Sequence, residues 1–78
     1  MVTWDVEVTD TFSGQANYSW VYRYAIRTPG GISYLALVRR IKSVTGYSGI
    51  RGHTYVSGDF VEIRFPERCV VIFAYVRY

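Results

Sequence analysis

The run CVVIFAYV, Cys69–Val76, is apolar at all eight of its positions. That is far short of the ~20 residues a helix needs to cross a bilayer. A strand that is apolar on both faces belongs at the centre of a sheet rather than at its edge, so the rest of the chain must supply neighbours for it. Two longer stretches have the right period. In VTWDVEVTDTF, Val2, Trp4, Val6 and Val8 fall on one side, and Thr3, Asp5, Glu7 and Thr9 on the other, which is the pattern of a half-buried strand. In NYSWVYRYAIRT (residues 17–28), Tyr18, Trp20, Tyr22, Tyr24 and Ile26 alternate with Ser19, Val21, Arg23, Ala25 and Arg27. SGQA (Ser13–Ala16) supplies a turn between them, and the two read as an antiparallel hairpin whose polar face sets Asp5 and Glu7 near Arg23 and Arg27.

Only one segment has a helical period. After the break at TPGG (Thr28–Gly31), Ser33 is suited to cap a helix over Ser33–Thr45. Tyr34, Leu37, Val38, Ile41, Val44 and Thr45 form its buried stripe, and Gly46 is its stop. GYSGIRG (residues 46–52) is a glycine-rich connection. Short strands are expected at His53–Val56 and Phe60–Phe65, with turns at Ser57–Asp59 and Pro66–Glu67. The order β-β-α-β-β-β over residues 1–78 predicts a single α+β domain of two layers, one mostly antiparallel sheet with a single helix packed on one face. Five strands span about 19 Å, and a helix of this length covers only the middle of that width. Trp20 and Tyr22 are therefore expected in the core, with Tyr18 and Tyr24 nearer its margins, where loops, sheet curvature, a second copy in a homodimer, or another partner would have to cover them.

At 78 residues, with half of them hydrophobic, the chain can fill one core and no more. Cys69 is the only cysteine, which excludes an internal disulfide and a cysteine-based zinc site; within its apolar run it reads as a buried, inert thiol. No secretory signal pattern opens the chain, and the expected location is the cytoplasm. The net charge of +3 is unevenly spread. Between Thr11 and Gly58 there is no acid but six cations, Arg23, Arg27, Arg39, Arg40, Lys42 and Arg51, together with His53. The flanking segments hold all six acids and three arginines.

Catalytic chemistry finds little support in these residues. The single histidine, His53, has no nucleophile or acid linked to it by spacing. Asp5 and Glu7 read as half of an ion-pair ladder. The glycine-rich loop follows a helix instead of leading into one, so it lacks the layout of a phosphate cradle. No cofactor or metal motif is present. A small-molecule enzyme would require a concave pocket with polar groups converging around His53. The strongest candidate surface is cationic: Arg39, Arg40 and Lys42 near the helix end and Arg51 in the following loop, with Tyr47 and Tyr18 as aromatic neighbours. Such a patch suits phosphates or an acidic protein face. The aromatic strand alternates onto the face assigned to the helix, which argues against a sheet-surface RNA binder.

The stretch VEVTDTFSGQANYSWVYRY (Val6–Tyr24), followed by LALVRRIKSVTGYSGIR (Leu35–Arg51), resembles small proteins of bacterial phages and mobile elements, among which are anti-CRISPR inhibitors of type I systems. The resemblance implies a non-enzymatic, stoichiometric inhibitor that binds a host protein or ribonucleoprotein, such as the type I surveillance complex, and blocks its engagement of target DNA. The alternative is direct nucleic-acid binding through the same basic patch.

Overall fold

In the computed structural model, which describes residues 1–78, the chain runs β1 (Val2–Phe12), β2 (Gln15–Thr28), α1 (Tyr34–Thr45), β3 (His53–Ser57), β4 (Phe60–Phe65) and β5 (Val70–Val76), with a 3₁₀ turn at Pro66–Arg68. The five strands form one sheet, antiparallel throughout, in the order β2-β1-β5-β4-β3, and α1 lies on one face. This is the expected α+β architecture. The apolar run becomes the central strand, with Val70 to Ala74 buried at every successive position. No helix is long and apolar enough to cross a membrane.

Local chemistry sets the helix ends. The Ser33 hydroxyl accepts the Ala36 N–H at 3.2 Å, and Gly46 takes the left-handed conformation (φ 86°) that lets the Tyr47 N–H reach the Lys42 carbonyl at 2.8 Å. The buried stripe is narrower than the spacing predicts. Leu37 and Ile41 are buried against the sheet and Val38 is half-buried, while Tyr34 and Val44, at the two ends, are exposed. A straight helix on a twisted sheet makes its closest contact through its middle turns. Ile41, wholly buried among the side chains of all the layers, contributes the ~1.5–3 kcal/mol of a fully buried aliphatic residue.

The largest departure from simple alternation is in β2. Ser13 (φ 54°) and Gly14 (φ 81°) make the tight two-residue turn, so β2 begins at Gln15 and not at residue 17. Pairing starts as Phe12↔Gln15 and Thr11↔Ala16, then resumes as Thr9↔Val21, so Asp10 alone faces the four residues Asn17–Trp20. Asp10 closes this bulge. Its carboxylate accepts from the Asn17 amide at 2.9 Å, the Ser19 N–H at 2.9 Å and the Ser19 hydroxyl at 2.6 Å. Tyr18 is forced to a positive φ (56°) and leaves the ladder. Alternation therefore breaks at Tyr18. Trp20 and Tyr22, expected in the core, are 37% and 62% exposed because this part of β2 runs past the end of the helix. Their rings lean on each other, 5.4 Å apart, and the buried part of β2 is confined to Ile26 and Thr28.

The face away from the helix carries Thr3, Asp5, Glu7 and Thr9 of β1, Val71, Phe73 and Tyr75 of β5, and Phe60, Glu62 and Arg64 of β4. Thr9 and Val71 on this face are fully buried. Their cover is the β1–β2 hairpin itself, which curls across β5 until the Arg64 guanidinium donates to the Gly14 carbonyl. The expected charge ladder is only partly formed. Glu7 lies opposite Arg23, but Asp5 lies opposite Ala25, and its ion-pair partner is Arg77, beyond the end of β5. Cys69 is also placed differently from expectation. It caps the 3₁₀ turn in the left-handed region (φ 52°), and its thiol is exposed, because the buried stretch begins only at Val70.

The hydrogen bonds from Ser19 and then Asn17 lower the Asp10 carboxyl from its ordinary value to about 2. A depressed folded-state value means that this carboxylate stabilises the fold above its unfolded-state pKa, and that the contribution is lost as pH falls towards about 2. Asp10→Asn should therefore lower the melting temperature at neutral pH and flatten the acid limb of the stability curve between about pH 4 and 2, measured by circular dichroism.

Candidate partner-binding surface

The turn after α1 and the pairing of β3 with β4 bring distant cations to one end of the molecule. Lys42, in the last turn of α1, points its ammonium away from the helix. Its Nζ donates to the Ile50 carbonyl at 2.8 Å and sits 5.7 Å from the centre of the Phe65 ring. Tyr47 stacks on the same ring, centroid to centroid 4.9 Å. Burial raises the Tyr47 phenol above the ordinary tyrosine range, against the opposing pull of the nearby Arg68 guanidinium. Phe65 is thus the floor of a junction that fixes the loop to the sheet.

Two shallow hollows flank this junction. One, of about 330 Å³, is lined by Arg39, Lys42, Ser48 and Gly49. The other, of about 320 Å³, is lined by Ile50–His53 and by Phe65–Arg68. Register explains the second. The tight turn pairs Ser57 with Phe60 and therefore His53 with Arg64, which leaves Arg51 and Gly52 beside Phe65 and the 3₁₀ turn. Arg39, Lys42, Arg51 and Arg68 make an arc of four cations, with Glu67 the only carboxylate lining either hollow. The chain's two ion pairs, Arg64–Glu62 and Arg77–Asp5, lie elsewhere, so none of these cations has an acid within ion-pair distance.

The residues expected from the sequence divide as follows. Arg39 and Lys42 meet in one hollow, and Arg51 lies in the neighbouring one. Arg40 is exposed on α1 but lines neither. Tyr47 is at the site as a packed support, half-buried under the loop. Tyr18 is not part of it. It stands exposed at a positive φ in the bulge of β2 and lines neither hollow. Two members were not anticipated: Arg68, which belongs to the acid-bearing end of the sequence, and His53 as its neighbour. The hairpin register, readable from the Ser57–Asp59 turn, was the signal that would have joined them to Arg51. The concavity at His53 is open, and no cluster of three His, Cys, Asp or Glu side chains is placed to hold a metal ion.

Compared with protein-family models, with curated proteins and with solved structures, the chain matches none.

Gly52 holds this geometry through a close approach. A Cβ built there would lie 2.8 Å from the Arg64 carbonyl oxygen and 2.8 Å from the Phe65 ring. Gly52→Ala should therefore destabilise the fold by about 1–3 kcal/mol in chemical denaturation. Gly30→Ala, in open space at an ordinary φ, should stay within about 0.5 kcal/mol of the parent.

Proposed function

We propose that the chain is a non-catalytic binding protein that docks on an anionic surface of a larger partner through the arc Arg39, Lys42, Arg51 and Arg68. The observation that carries this reading is that four cations converge on one rigid junction without carboxylate partners. Uncompensated charge at one end of a small domain raises its rate of encounter with an oppositely charged face. Lys42 and Tyr47 are held by Phe65 and the loop, so they present the arc in a fixed shape. Arg39, Arg51 and Arg68 are the exposed contacts.

The partner class that the resemblance to phage and mobile-element inhibitors implies is a host ribonucleoprotein, the type I CRISPR surveillance complex. In this reading the protein occupies the surface on which the complex would otherwise engage target DNA. The inhibition is stoichiometric, and the chain acts in the bacterial cytoplasm.

Binding of the purified chain to a purified type I surveillance complex tests the proposal. Arg39→Glu with Arg51→Glu should weaken the complex by roughly tenfold or more, as expected when steering charges are reversed at an interface, while Arg40→Glu should have the smaller effect. Equal affinity of the folded double variant and the parent would remove the arc from the interface. A salt titration against random duplex and single strands completes the test. Tight binding that falls steeply with salt would replace the proposal with direct nucleic-acid binding.

A further inference from the structure

The sheet face opposite α1 is covered by the curled hairpin only at its Thr9–Val71 end. The rest is a continuous layer of rings. Phe60 of β4 lies 5.3 Å from Tyr75 and 6.1 Å from Phe73, both on β5, and 6.5 Å from Tyr55 on the edge strand β3. Phe73 is the buried floor, and Tyr75 and Tyr55 are 40% and 59% exposed. Neither hollow at the cationic end nor the one beside the β2–α1 loop is lined by these rings, so the layer is a platform and not a cage.

The surrounding charge says what the platform suits. Across the ladder, Phe73 has Glu7 on one side and Glu62 on the other. Burial first, and then the nearby carboxylate of Glu7, raises the Tyr75 phenol above its ordinary range. The chain's own arginines already use carboxylates of this face as acceptors. Arg64 Nε donates to Glu62 at 2.7 Å, and Arg77 forms a two-pronged pair with Asp5. Glu7 has no such partner. Arg23 stands opposite it in register without closing an ion pair. An open carboxylate beside flat, exposed rings is the setting in which a guanidinium can both stack and fork.

The geometry points to this face as a docking surface for an arginine-bearing segment of a partner protein, with a guanidinium stacked on Tyr75 and paired to Glu7 and the rest of the segment lying over Phe60 and Tyr55. It is a second surface, lined by none of the four cations of the arc.

Fluorescence anisotropy with labelled Arg-Gly repeat peptides, Lys-Gly peptides of equal length and a labelled single-stranded oligonucleotide tests this. The chain's net charge of +3 opposes indiscriminate capture of cationic peptides. The arginine peptide should bind more tightly than the lysine peptide, and Glu7→Gln should weaken it by about tenfold, the scale of one charged hydrogen-bonded contact. Tyr55→Ala, at an exposed edge position, should weaken it several-fold. Arg23→Ala should tighten it by removing the nearest competitor for Glu7. Arg39→Glu with Arg51→Glu, which disables the cationic arc, should leave it unchanged or tighter. Binding that ignores Glu7→Gln and Tyr55→Ala would overturn the proposal. So would binding of the oligonucleotide at this face, seen as shifts of the Phe73 and Tyr75 amides in NMR, with no response to the arginine peptide.

Discussion

The structure depends on keeping water from both faces of β5. Five successive residues, Val70 to Ala74, are buried, and a single helix can cover only one side of a sheet. Leu37 and Ile41 close the side that carries Val70, Ile72 and Ala74. On the other side the chain uses its own hairpin. Asp10 gathers Asn17 and Ser19 into a bulge, the hairpin bends, and its turn reaches across β5 to Arg64. One carboxylate on β1 thus governs how much of the far face is sealed. The uncovered remainder is the ring platform, and the part of β2 left beyond the helix is where Trp20 and Tyr22 meet solvent.

Charge is sorted by the same topology. Sandwiched between β2 and β5, β1 has its acids set among arginines, Arg23 from β2 and Arg77 from beyond β5. The segregation visible along the sequence is therefore largely erased on the sheet. It survives at the end of α1, where the loop and the 3₁₀ turn bring cations together without acids to match them. Helix-end carbonyls favour cations nearby, but Lys42 directs its ammonium to the Ile50 carbonyl and the Phe65 ring instead. The result is a cationic corner and, on the opposite side of the sheet, a flat aromatic one edged with carboxylates and the arginines that face them.

Elements with a single strong periodicity were legible beforehand. The central position of β5, the helix with its Ser33 cap and Gly46 stop, and the strand Phe60–Phe65 all follow from patterns of apolar spacing and turn chemistry. What escaped was decided by contacts between segments. Nothing in NYSWVYRY marks Tyr18 as the residue that leaves the ladder, because the bulge exists only once Asp10 of another strand is opposite it. Trp20 and Tyr22 obey the alternation and still lie outside the core, since the helix stops short of them. Cys69 belongs to the apolar run by composition, yet the 3₁₀ turn delays entry into the sheet by one residue and leaves its thiol in solvent. Arg68 joined the cationic site through the β3–β4 register, a relation that charge counting along the chain does not contain.

The neighbours of the central strand come from very different times in synthesis. Asp10 pairs with Val70 and Trp4 with Val76, so at least sixty residues separate every partner in this ladder. A chain leaving the ribosome therefore exposes the inner edge of β1, with its valines and tryptophan, until β5 follows. Non-local pairing of this kind slows folding, and an unpaired strand edge is a template for association with other chains. Until β5 pairs with it, the inner edge of β1 is therefore the part of the nascent chain most open to pairing with another strand.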